Sequence, residues 1–123
     1  MPRGLLVFVA TCLLGVALPA MAQESATVGI CGDSGEWPPY IYFERDEGKK
    51  TERVAGFSID VIGEVLDEEG IDYTIELLPW KRCLRNVEAG AASQIALDAS
   101  YSEERAKSYF YSRPYYTVEP YYF

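Results

Sequence analysis

The sequence predicts an α/β domain of βαβαβ order built on a mainly parallel sheet, and three observations lead there. Segments that alternate apolar and polar residues with a period of two are separated by segments whose apolar residues recur every three or four. The order is strand, helix, strand, helix, strand with short connections, which favours parallel pairing and right-handed crossovers. Behind a distinct amino-terminal stretch, residues 23–123 are enough for one small core and too few for two.

That first stretch reads as a leader. Met1, Pro2 and Arg3 give a positive start, Gly4 to Leu18 carry no charge, and Ala20-Met21-Ala22 has the small-x-small pattern at which signal peptidases cut. The expected division is therefore a signal peptide over 1–22 and a domain over 23–123. As a membrane anchor the apolar run is short of the roughly 18–20 residues that cross the hydrocarbon layer, so no stable anchor is expected.

Thr27 to Cys31 alternates small, β-branched and apolar residues and runs into Gly32-Asp33-Ser34-Gly35, a strand entering a loop. Trp37-Pro38-Pro39-Tyr40 is stiff, because each proline fixes its own φ and turns the residue before it away from helix. Tyr40 to Phe43 extends briefly before Glu44 to Arg53, a charged stretch without apolar periodicity that reads as a hairpin or loop. Between Gly56 and Gly70 the period changes. Ile59, Ile62, Val65 and Leu66 recur at helical spacing, Ser58 is placed to cap the start, and Gly70 to stop it. Ile71 to Leu77 alternates again and ends at Pro79. Trp80, Cys83, Leu84, Val87 and Ala91 give a second helix closed by Gly90, Gln94 to Ala99 a third strand, and Glu103 to Lys107 a short helix.

Charge and cysteine narrow the chemistry. The chain has 19 acidic residues, 11 basic ones and no histidine. Without Arg3 the balance is ten against nineteen, a net of −9, and a phosphate backbone would be repelled, so nucleic acid is not an expected partner. Cys31 and Cys83 survive leader removal; an oxidising compartment allows a disulfide, and two buried thiols are the other reading. Two cysteines without histidine leave no ordinary zinc or haem ligand set, so neither metal nor cofactor is expected. The last fifteen residues are unusual: eight are aromatic, an apolar density that marks an interaction surface or an interrupted chain.

In α/β sheets of this kind ligands gather beyond the carboxyl ends of the strands. The loop after Cys31, the turn at Leu78 to Trp80 and the turn at Asp98 to Arg105 should therefore converge on one rim.

Four blocks carry a family resemblance. They are Gly56-Phe57-Ser58-Ile59-Asp60-Val61, Leu78-Pro79-Trp80-Lys81-Arg82-Cys83-Leu84, Ala99-Ser100-Tyr101-Ser102-Glu103-Glu104-Arg105-Ala106 and Tyr111-Ser112-Arg113-Pro114-Tyr115-Tyr116. In order and spacing they resemble the amino-terminal part of the family 3 extracellular solute-binding proteins, which are similar to the polar-amino-acid-binding subunits of ABC importers. The resemblance implies the first lobe of a type 2 periplasmic binding protein fold. In that fold two hinged lobes close over a ligand, and the chain crosses to the second lobe shortly after the Pro-Tyr-Tyr block. An incomplete lobe, truncated before the second, is the expectation here.

The resemblance also assigns roles. Arg105 looks like the arginine that grips a ligand carboxylate, a task suited to the planar guanidinium fork; an exposed arginine paired with Glu103 or Glu104 is the plainer reading. Ser100 resembles the hydroxyl that helps it, or is a turn residue. Asp98 falls at a ligand-contacting position where a neutral side chain is more usual. Trp37, Tyr40 and Trp80 stand where the family stacks rings on its ligand, Asp33 or Glu36 where an ammonium could be met, and Tyr115 and Tyr116 at the approach to the hinge. The function this implies is periplasmic capture of an amino acid or similar small polar solute for an ABC-type importer, without catalysis. The alternatives are an enzyme on the same fold, similar to cyclohexadienyl dehydratases with Glu36 or Asp98 as the acid, and a non-functional truncated fragment. Gly32-Asp33-Ser34-Gly35 also resembles the loop around a nucleophilic serine, but without histidine the ordinary base is missing.

Overall fold

The computed structural model describes residues 26–119; the expected leader lies outside them. Strand β1, Val28–Asp33, is the middle of a three-stranded parallel sheet, flanked by β4, Tyr73–Leu78, and β5, Ile95–Ala96. Register runs from Val28 opposite Tyr73 to Asp33 opposite Leu78, and Ile30 and Cys31 face Ile95 and Ala96. Two helices complete the layer: α1, Phe57–Glu68, precedes β4, and α2, Trp80–Ala89, follows it. The fold is the predicted α/β one with a parallel sheet, a single lobe of periplasmic binding protein type.

The strand order explains the layering. The chain moves from β1 to β4 on one side and then back across β1 to β5, so two right-handed crossovers must place their helices on opposite faces. Successive strand residues point to opposite faces. Ile30 accordingly joins the buried cluster of Ile41, Leu66 and Leu97, with Ile59 and Ile62 of α1 packed against it. Its neighbour Cys31 is disulfide-bonded to Cys83 of α2, across 52 residues of sequence, and both cysteines are fully buried.

The charged stretch is a regular antiparallel hairpin, β2 Tyr42–Asp46 and β3 Lys49–Ala55. Its two-residue turn, Glu47-Gly48, has positive φ at both positions, as the primed hairpin turns require. Helix α1 starts differently from the sequence reading. Gly56 at φ 126 is the N-cap, and the first-turn N–H groups of Phe57 and Ser58 donate to the carbonyls of Pro39 and Tyr40. A Cβ at Gly56 would stand 2.3 Å from the Tyr40 oxygen, so only glycine lets the loop come this close. The Ser58 hydroxyl is thus freed from capping and points elsewhere. Gly70 and Gly90 both take the left-handed conformation expected of helix stops. The third strand shrinks to two residues, and the last short helix is a 3-10 turn at Arg105–Lys107. Among the described residues no helix is long and apolar enough to cross a membrane.

Candidate functional site

All three parallel strands end at the same rim, where a cleft of about 510 Å³ opens. The end of β1 and the loop after it supply Asp33, Glu36 and Trp37, the first residue of α2, just past β4, supplies Trp80, and the loop after β5 supplies Asp98 and Ser100. Arg105 follows on the 3-10 turn and lines the same cleft. Five of the six residues singled out as ligand contacts are therefore brought together: Arg105, Ser100, Asp98, Trp80 and Trp37. Tyr40 stands outside the lining, stacked on Tyr116 at 4.1 Å between ring centroids and 11° between planes.

Arg105 is held rather than waving in solvent. Its Nη1 donates to the Ser100 carbonyl at 3.1 Å, its backbone N–H donates to Ser102 Oγ at 3.2 Å, and its guanidinium carbon lies 5.8 Å from the Trp80 ring centroid. An arginine over an indole face is an attractive cation–π arrangement that also orients the fork. Among the described residues no ion pair joins it to Glu103 or Glu104.

The acids of the cleft are engaged in different ways. Asp33 Oδ1 accepts from the N–H of Gly35 at 3.0 Å, which fixes the loop after β1. Glu36, at φ 60, turns back to the hairpin: Oε1 accepts from Phe43 N–H at 2.7 Å, and Arg45 pairs with Oε2 at 3.0 Å, with Lys50 at 3.8 Å. The hydrogen bonds from Arg45 and from the Phe43 amide hold its carboxyl down at about 2. Asp98 accepts three hydroxyls on Oδ1, from Ser58 at 2.5 Å, Tyr115 at 2.8 Å and Tyr116 at 2.9 Å.

Trp37 is more than half exposed and forms an isolated bridge with Ile41, leaving its ring free for a flat or apolar group. Sequence reasoning missed the far wall, made by Tyr116 and Val118 with Ile41 and Leu97 at the base. The aromatic run near the carboxyl end was the available signal, but which of its rings turn back into the cleft depends on contacts with distant residues such as Tyr40, Phe57 and Asp98. Among the described residues there is no group of three or more cysteine or acidic side chains that could hold a metal ion.

Comparison with known proteins agrees with this fold. The model of the bacterial extracellular solute-binding proteins, family 3, matches residues 29–123, and the chain belongs to that family. It is 26% identical over 93 residues to the L-cystine-binding protein TcyJ of Escherichia coli (strain K12), a match covering 76% of this chain and 33% of the relative. TcyJ of a second Escherichia coli strain matches equally. The chain spans about a third of the length of the curated relatives it matches. Among solved structures, the substrate binding protein of an amino acid ABC transporter shares the fold, with a TM-score of 0.53 and 20% identity over 67% of this chain and 35% of the other.

Proposed function

We propose that this member of the family 3 solute-binding proteins captures an amino acid or similar small polar solute outside the cytoplasm, for an ABC-type importer and without chemistry of its own. The observation that carries the reading is Arg105. A guanidinium oriented by Ser100 and Trp80, at the rim where three parallel strands end, is built to take both oxygens of a carboxylate. Trp80 and Trp37 would then cover the apolar part of the solute, and Ser100 would add a hydrogen bond. Residues 1–22 fit a cleaved leader that sends the chain to the periplasm, and 23–123 the amino-terminal lobe of such a protein.

A single lobe presents an open, wet face. Affinity in such families grows when a second surface excludes water from the charged groups, so the 123-residue chain by itself is expected to bind only weakly. The indole N–H resonances of Trp37 and Trp80 give a direct readout on titration with a panel of amino acids that includes L-cystine. Arg105→Ala should weaken a saturable shift at least tenfold, in line with the roughly 1.5–3 kcal/mol of a hydrogen bond to a charged group. No shift with any amino acid, or an unchanged titration in the variant, would refute the assignment. Submicromolar affinity of the chain as a monomer would refute the open-face argument.

A further inference from the structure

Asp98 lines the cleft, yet its oxygens are engaged or enclosed by the protein itself. Oδ1 is taken by three hydroxyls, while Oδ2 is closed off from solvent and has no hydrogen-bond partner among the described residues. A cationic group reaching Oδ1 would have to compete with three hydroxyls already bound there. We propose that Asp98 is the anchor of the segment 112–118, a positioning residue that pins Tyr115 and Tyr116 against the start of α1 and so sets the cleft wall that Tyr116 forms. Only the last step, that this wall belongs to a ligand site, rests on the solute-capture reading.

The segment needs an anchor because it has no ladder. Tyr109 is still tied to the 3-10 turn through its N–H to the Arg105 carbonyl, and the Tyr111 hydroxyl donates to the Ser100 carbonyl, but residues 112–118 belong to no helix or strand and their position is set by side chains. Adjacent residues of an extended chain point to opposite sides. Tyr115 and Tyr116 nonetheless bring both hydroxyls to one oxygen, their rings edge to face at 5.1 Å and 73°. Tyr116 lies flat on Tyr40 and edge-on to Phe57 at 6.3 Å, and Tyr115 stacks on Phe57 at 6.3 Å. These contacts set the two rings against α1 and the proline loop, with Tyr116 partly buried and Tyr115 still 38% exposed. Hydrogen bonds from O–H groups to an ionised carboxylate are shorter and stronger than neutral ones, which suits a point that must hold an otherwise unladdered segment.

The sequence prepares the point from three directions. Asp98 sits at φ 58 just past β5, a left-handed conformation that aspartate and asparagine tolerate better than other residues with a side chain. Ser58 is fully buried, and its hydroxyl is available because backbone carbonyls cap the helix in its place. Burial, and then the neighbouring Asp98 carboxylate, raise the Tyr116 phenol well above its usual range; burial raises Tyr115 as well.

Tetranitromethane nitration of the full 123-residue chain, read residue by residue by peptide mass spectrometry, tests the anchor without any ligand. Tyr101, 69% exposed, is the internal reference and Tyr73, packed against the core, the control for general loosening. In the wild type Tyr116 should react at least roughly tenfold more slowly than Tyr101, since each unit of raised phenol pKa removes a factor of ten in tyrosinate. Asp98→Ala should erase that difference with Tyr73 still slow, and Asp98→Asn, which keeps an acceptor and the backbone conformation, should restore part of it. A folded Asp98→Ala chain with Tyr116 still protected overturns the proposal. If Asp98→Ala loosens Tyr73 too, Ser58→Ala and Tyr115→Phe decide: each must raise Tyr116 nitration severalfold with Tyr73 unchanged, and no rise overturns the anchor. The tryptophan titrations above score the ligand reading separately.

Discussion

Replacing Cys31 and Cys83 together by alanine removes the one covalent link between β1 and α2 seen among the described residues. The bond joins residues 52 apart, and the chain-entropy relation for a loop of that size gives about 4 kcal/mol at 25 °C. Alanine is the informative substitute, because both positions are fully buried and a serine hydroxyl there would add a cost of about 1–3 kcal/mol if left unpaired. The loss is large against the roughly 5–15 kcal/mol that holds an ordinary small domain together. With a urea slope of about 1–3 kcal/mol per molar, the unfolding midpoint should fall by roughly 1.5–4 M. Far-ultraviolet circular dichroism in urea, on the oxidised chain, the double-alanine variant and the wild type kept in dithiothreitol, makes the comparison. The reduced and double-alanine curves should coincide and lie well below the oxidised one. Equal midpoints for all three, with the bond confirmed by mass spectrometry in the oxidised sample, would refute the loop argument.

Two further outcomes are expected. The Glu36 carboxyl is held at about 2 in the folded chain against an ordinary 4.5, so its grip on the hairpin is fully present above about 4.5 and is lost as the pH falls through about 2. The Phe43 amide resonance should follow that titration, and Glu36→Gln should abolish it; an inflection left in the variant would place the proton elsewhere. At Gly29 an added Cβ would lie 2.0 Å from the backbone oxygen of Ala92, so Gly29→Ala must shift β1 against the turn before β5. A destabilisation of about 1–3 kcal/mol in urea unfolding is expected, and none at all would mean that the turn yields freely.

Periodicity made α1, β4 and α2 legible, because each buries one stripe or face and the residues that do so recur at the element's own spacing. Gly70 and Gly90 marked the stops for the reason that both needed positive φ. The hairpin carried no such signal, since most of its residues face water on both sides, and the charged stretch alone left hairpin and loop undivided. Ser58 was legible as polar at a helix start but not as a donor to Asp98, forty residues on, because the backbone of Pro39 and Tyr40 took over the capping. The rim followed from strand order, which is why Arg105, Trp80 and Trp37 met as expected. Tyr40 and Tyr116 exchanged places relative to the sequence reading: the earlier tyrosine became backing, and the later one the wall. Nothing local to either residue decides which of two stacked rings faces the opening.

The central place of β1 has a consequence for the order of assembly. The first strand among the described residues pairs there with segments made some forty-five and sixty-five residues later, so its amide and carbonyl groups wait while the hairpin and both helices take shape from near neighbours. Loops of that length are costly to close before any contact rewards them, and sheet formation becomes the slow, late step. Until then Val28 to Asp33 is an unclaimed edge, open to whatever strand reaches it first.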